Sequence, residues 1–139
     1  MIKAILIDFM QRLNGVEPIK YISLDWGQLN KEKPAVKWPC ALLSMEDIEF
    51  TQQAEHKQLA EADIVITLEF LHTGHMSGTV ERADQALESL ETIDDIHAAL
   101  SGWLPTYCGY PVRTALEREM PGEAGRERWK LRYHIAWQE

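Results

Sequence analysis

The stretch Arg126-Glu127-Arg128-Trp129-Lys130-Leu131-Arg132-Tyr133-His134-Ile135-Ala136-Trp137 decides the fold. Side chains on a strand alternate between two faces, so Trp129, Leu131, Tyr133, Ile135 and Trp137 share one face and Arg128, Lys130, Arg132 and His134 the other. One side is core and the other is strongly cationic. This strand closes a sheet whose other members precede it in the chain.

Immediately before it, Met120-Pro121-Gly122-Glu123-Ala124-Gly125 reads as a turn, and Val112 to Glu119 alternates as a second strand. Further back, Val80, Ala83, Leu87, Leu90, Ile93, Ile96, Leu100 and Leu104 step by threes and fours. That spacing predicts one helix of about six turns with a continuous apolar stripe and an acidic outer face. A capping-box pattern at Thr92-Ile93-Asp94-Asp95 offers the competing reading of two helices. Gly102 and Pro105 stop the helix. His72-Thr73-Gly74-His75-Met76-Ser77-Gly78 turns into it, with Ser77 or Thr79 as N-cap.

Ala62, Ile64, Ile66, Leu68 and Phe70 point one way, and Asp63, Val65, Thr67 and Glu69 the other, which is a strand. Its expected antiparallel neighbour runs from Pro39 through Phe50, with Gln52 to Gln58 as a polar hairpin tip. A short strand-prone run, Ile19 to Leu24, ends at the turn signal Asp25-Trp26-Gly27. Gln28 to Trp38 has no periodicity and reads as a long polar loop of the kind that is mobile or functional. At the start, Ile2, Ile5, Leu6, Phe9 and Leu13 define a helix from about Ile2 to Asn14, with Gly15 as a left-handed stop. The fold class is therefore α+β: a mostly antiparallel sheet of about five strands packed against an N-terminal helix and one long central helix.

With 139 residues, 45 % hydrophobic and 26 % charged, the chain reads as a single domain over 1–139. No apolar run reaches the roughly 20 residues that span a bilayer. The N-terminal apolar run is broken by Asp8 and Arg12 and lacks a small-residue cleavage site, so no signal peptide is expected. Cys40 and Cys108 lie far apart without ligand-like spacing and read as reduced thiols.

The net charge of -8 is uneven. Residues 46–95 alone come to -11, with thirteen acids against Lys57 and Arg82. Tracking nucleic acid needs a basic stripe, which this acidic bulk opposes, so no sequence-specific nucleic-acid partner is expected.

Signatures of catalysis are lacking. The sequence has no G-x-S-x-G, P-loop, dinucleotide fingerprint or C-x-x-C. His72-x-x-His75 near Glu69 is the nearest approach to a metal pattern, but it straddles a Gly turn and lacks a defined third ligand, so both histidines read as solvent-exposed. The pairs Asp94/Asp95 and Glu46/Asp47 lie in solvated stretches without the apolar pocket that acid/base work requires. Neither an enzyme activity nor a cofactor is expected.

The cationic row invites two readings. Within the chain, Glu117, Glu119, Asp63 and Glu69 can pair with it across strands. Between copies, Arg128, Lys130 and Arg132 would meet the acidic helix or strand of the next subunit, with Trp26, Trp38 and Trp103 supplying apolar anchors.

The order of elements, the helix at the extreme N-terminus, the strand after Pro39, and a helix carrying Ala86-Leu87-Glu88-Ser89-Leu90 and Ile96-His97-Ala98-Ala99-Leu100 resemble the phage tail terminator and tail-completion (head-tail joining) proteins. That resemblance implies a non-enzymatic α+β subunit forming a ring homo-oligomer, a hexamer, on the tail tube. It also implies tail-tube and head-connector proteins as partners, assembly in the host cytoplasm, and a final place in the virion tail. An acidic surface would then face the lumen, and the loop 28–38 and tip 52–58 would reach a neighbour or the tube. The alternative is a small cytoplasmic adaptor whose Trp-bearing loops hold a ligand.

Overall fold

The computed structural model describes residues 1–72, 79–123 and 125–139. The expected turn at 73–78, with His75 and Ser77, lies outside them, as do Ala124 and the side chains of residues 79–82. In chain order the elements are α1 (Ile2–Leu13), β1 (Tyr21–Leu24), a 3-10 turn (Gln28–Asn30), β2 (Cys40–Ala54), β3 (Lys57–Leu71), α2 (Thr79–Leu100), β4 (Val112–Glu119) and β5 (Arg126–Gln138). The strands form one sheet in the order β1-β2-β3-β5-β4. Only β1 runs parallel to its neighbour. The α+β expectation holds, and α2 is a single helix through Thr92.

Both helices cover one face of the sheet. Ile5, Phe9 and Leu13 of α1 and Ile93, Ile96 and Leu100 of α2 meet Ile64, Ile66 and Leu68 of β3 and Leu131 and Tyr133 of β5, all buried. Complete burial of each such side chain is worth about 1.5–3 kcal/mol, which makes this layer the main source of stability. The helices are also strapped together. Arg12 donates to the Ala99 carbonyl at 2.7 Å, and in the segment after α2 the Thr106 amide donates to Asp8 at 2.8 Å.

Three expectations change in detail. The α2 stripe is only half used: Leu87 and Leu90 are exposed, while Ser89 and Thr92 are buried in their place. The helix sits on the sheet through its C-terminal half, and there the buried face follows 89, 93, 96 and 100. Gly15 is not left-handed, since α1 closes with Asn14 in ordinary helical geometry and an amide bond from Gly15 to the Arg12 carbonyl. The polar tip is a hairpin, as expected, and tighter than the span 52–58. β2 and β3 zip to Ala54↔Lys57, so the turn is only Glu55-His56.

The stretch 28–38 folds back on the second face of the sheet. Gln28 and Leu29 are buried, and Leu29, Cys40 and Leu42 form a small cluster joined by Tyr21, Val36 and Trp38. The Gln28 side-chain Nε2 donates to the Leu24 carbonyl, and its Oε1 accepts from the Trp26 backbone amide, which fixes the loop's entry. A run without periodicity is thus held by local hydrogen bonds and one aromatic contact rather than by an amphipathic pattern.

Candidate interaction edges

The cationic row does not face empty solvent. Glu69 of β3 is fully buried and accepts from Arg126 Nη2 and Arg128 Nε, each at 2.6 Å. Arg126 also donates to the Leu29 carbonyl at 2.8 Å and lies over the Trp38 ring at 5.5 Å, locking the 28–38 loop to β5. Lys130 pairs with Glu119 at 3.3 Å, Arg132 with Asp63 at 2.9 Å and Asp47 at 3.1 Å, and His134 with Asp63 at 3.0 Å. Opposite charges placed across antiparallel strands reach one another directly, so the sheet consumes its own cations. Arg128, Lys130 and Arg132 therefore make intrachain pairs before any contact with a neighbour.

These pairs set the local protonation. Burial works to raise the Asp63 pKa, but hydrogen bonds from His134 and Arg132 outweigh it and hold the carboxyl below its usual range. The bond with Asp63 raises His134 above its ordinary value. Burial pushes the Cys40 thiol up to about 12, with Glu69 adding to it, and pushes Cys108 up to about 11, so both are poor nucleophiles.

The three tryptophans separate. Trp38 is held by Arg126, and Trp103 packs edge-on against Phe9 at 5.1 Å beneath the Arg12 guanidinium. Trp26 alone stays open, 63 % exposed at the end of β1, with Lys31 5.6 Å from its ring centroid.

The histidine expectation also changes. His72 is part-buried, stacked on Phe70, and its Nε2 lies 2.7 Å from Glu127 Oε1. Buried Ser89 donates to the same oxygen at 2.8 Å, and Trp129 donates to the other at 2.9 Å. Burial would raise Glu127, but these donors, His72 first, hold its pKa below the usual range. A Ser-His-acid relay needs the serine and the acid on opposite imidazole nitrogens. Here both face Nε2, so the group clamps α2 to β5. Glu69 is turned to the other face of the sheet and is spent on arginines, so it makes no metal site with His72. Asp94 and Asp95 are exposed, and Glu46 and Asp47 face Arg132.

What the sequence did not mark out are the two edges. β1 pairs only with Cys40 to Leu43, leaving the outer edge of β2 open from Ser44 to Ala54. That half of β2 is exposed from Glu46 onward, with Ile48 and Phe50 among its side chains. At the far side, β4 is an edge strand along its whole length and shows Val112 and Leu116. Register places Arg113, Leu116 and Arg118 on the helix side of the sheet, opposite Tyr133, Leu131 and Trp129, and Phe50 on that same side opposite Ala60. Since β2/β3, β3/β5 and β5/β4 are all antiparallel, β2 of a second copy laid beside β4 would also be antiparallel, with its helix layer on the same side. Unpaired edge amides and carbonyls are a template for such addition.

Neither a family model nor a curated protein sequence matches the chain. Among solved structures, a chain of the "Virion of native gene transfer agent (GTA) particle" is similar with a TM-score of 0.71 and 12 % identity. The match covers 99 % of this chain and 96 % of that one. At that identity the likeness is one of fold, and it extends over the whole of both chains.

Proposed function

We propose that this protein is a non-enzymatic structural subunit of a phage or phage-like particle, assembling as a ring at the tail end, as tail terminators do. The observation that carries this reading is the pair of complementary open edges on one sheet. Whole-length likeness in fold to a chain of a gene transfer agent virion supports the particle setting.

In the ring, β4 of each subunit lies against the free half of β2 in the next, placing Leu116 beside Phe50. Arg113 and Arg118 bring positive charge toward a β2 segment that holds Glu46, Asp47 and Glu49 and no cation. Such a heterologous contact closes when the rotation per subunit divides a full turn, and hexameric closure fits the resemblance to terminators. Tail-tube and head-connector proteins are the proposed partners above and below the ring. The adaptor reading is disfavoured because two of its three tryptophans are engaged inside the chain.

Paired cysteines test the contact. A protein with both Phe50→Cys and Leu116→Cys should oxidise to covalent multimers that end at one closed size, whereas either change alone should not progress beyond dimers. Equal ladders from single and double variants would exclude this contact.

A further inference from the structure

At the end of the sheet where β2 begins and β3 ends, a groove follows α2. Its deeper part has a volume of ≈ 440 Å³, with Trp38, Phe70 and Pro39 as its floor and Glu88, Glu91 and Asp95 along one wall. A shallower continuation of ≈ 400 Å³ shares Pro18 and Asp95 and runs on to Ala99. Glu88 to Ala99 covers about 16 Å of helix, at about 1.5 Å per residue. That length takes about five residues of extended chain, more than a compact small molecule needs.

The chemistry of the walls differs from that of the floor. Among the described ion pairs, none involves Glu88, Glu91 or Asp95, although every acid on the neighbouring β3 strand is paired. Among the described residues, the one lysine or arginine lining the groove is Lys20, whose Nζ turns to the Glu17 carbonyl at 3.3 Å. His72 at the deep end is committed to Glu127. An apolar lining that includes Pro18 and Pro39, set beside carboxylates, suits an alkyl stem carrying a guanidinium or ammonium head: the stem covers the apolar atoms and the acids attract the head.

We infer that the α2 groove is a docking site for an extended basic segment, about five residues long, of a partner polypeptide. The alkyl stem of an arginine or lysine lies along the apolar lining and its head pairs with Glu88 and Glu91, and a second cation meets Asp95 further along. The site does not depend on the edge contact and is open on a single subunit.

The probe is acetyl-Lys-Leu-Arg-Leu-Lys-amide, titrated into the full chain by calorimetry, with Trp38→Phe identifying the fluorescence response of the groove. The expected result is saturable 1:1 binding, at least tenfold weaker in the triple variant Glu88→Gln, Glu91→Gln, Asp95→Asn and unchanged in Asp84→Asn, an acid on the same helix away from the groove. Spermidine at equal charge should not compete. The inference is overturned by absent saturation, by equal binding to the triple variant, or by displacement with spermidine, which would mark a site for small cations only. Circular dichroism on the triple variant separates lost binding from lost fold, and because none of its positions lies on β2 or β4, ring assembly is read separately.

Discussion

Glu69 and Arg126 form an ion pair of 2.6 Å in which the carboxylate is fully buried and the guanidinium side chain is 3 % exposed. A buried pair is costly to desolvate and stays favourable only when its remaining bonds are made, as Arg128, Leu29 and Trp38 make them here. Removing one partner leaves buried charge uncompensated. Glu69→Gln should therefore cost about 3–5 kcal/mol in chemical denaturation, far beyond an ordinary surface change. A loss under 1 kcal/mol would contradict the pairing. Reversing Arg128 is for the same reason a stability mutation rather than a clean probe of assembly.

Where α2 touches the core can be read by two truncations. Ile96 is completely buried against the sheet, and Leu87 is 62 % exposed. Ile96→Ala should cost about 2–5 kcal/mol and Leu87→Ala within about 0.5 kcal/mol. Equal losses would place the sheet beneath the whole stripe.

The turn before β5 depends on Gly125, whose φ is +80° and whose carbonyl accepts from the His72 amide at 2.7 Å. A Cβ built there lies 2.8 Å from the His72 carbonyl oxygen, so both backbone strain and a backbone clash oppose any side chain. Gly125→Ala should lower stability by more than about 1 kcal/mol, while Gly122→Ala, with positive φ but open space, loses only the strain. Thermal melts of the two variants settle the order.

Two histidines pull stability in opposite directions near neutrality. His134 is raised by its bond to Asp63, so it contributes stability that is complete below the ordinary histidine value and is lost as pH climbs through the folded value. His97 is lowered by burial and by Arg113, and its Nδ1 lies 3.0 Å from the Tyr133 hydroxyl. Its contribution is complete above the ordinary value and is lost as pH falls. His134→Gln should reduce the loss of stability between about pH 6 and 8, and His97→Gln should increase it. Asp63 and Glu127, both held low, add an acid limb in which stability falls as pH drops through their folded values. Denaturation midpoints across pH read all of this.

Much of the fold was legible because periodicity survives burial. The alternation of 126–137 and 62–70 placed β5 and β3, and the spacing Ile5, Phe9, Leu13 placed α1. The α2 stripe misled over its first half because only the C-terminal half of the helix is buried, and no sequence period tells which turn leaves the core. The long loop looked polar because its fixing contacts are backbone carbonyls and one arginine distant in sequence. Arg126 and Glu69 are 57 residues apart, and only the pairing of β3 with β5 brings them together. Of the six interface residues expected, Trp26 stands open and the others have intrachain partners. The edges could not be read at all, since which strand is outermost depends on topology rather than on its own residues.

The ring is tested most directly by absolute mass from light scattering on a sizing column, over a range of concentration, for the native protein beside Phe50→Glu and Leu116→Glu. The account predicts one closed species at a whole-number multiple of 16.0 kDa, and a single subunit for both variants with circular dichroism unchanged. A native protein that stays at one subunit at every concentration, or variants that assemble as the native chain does, would contradict it.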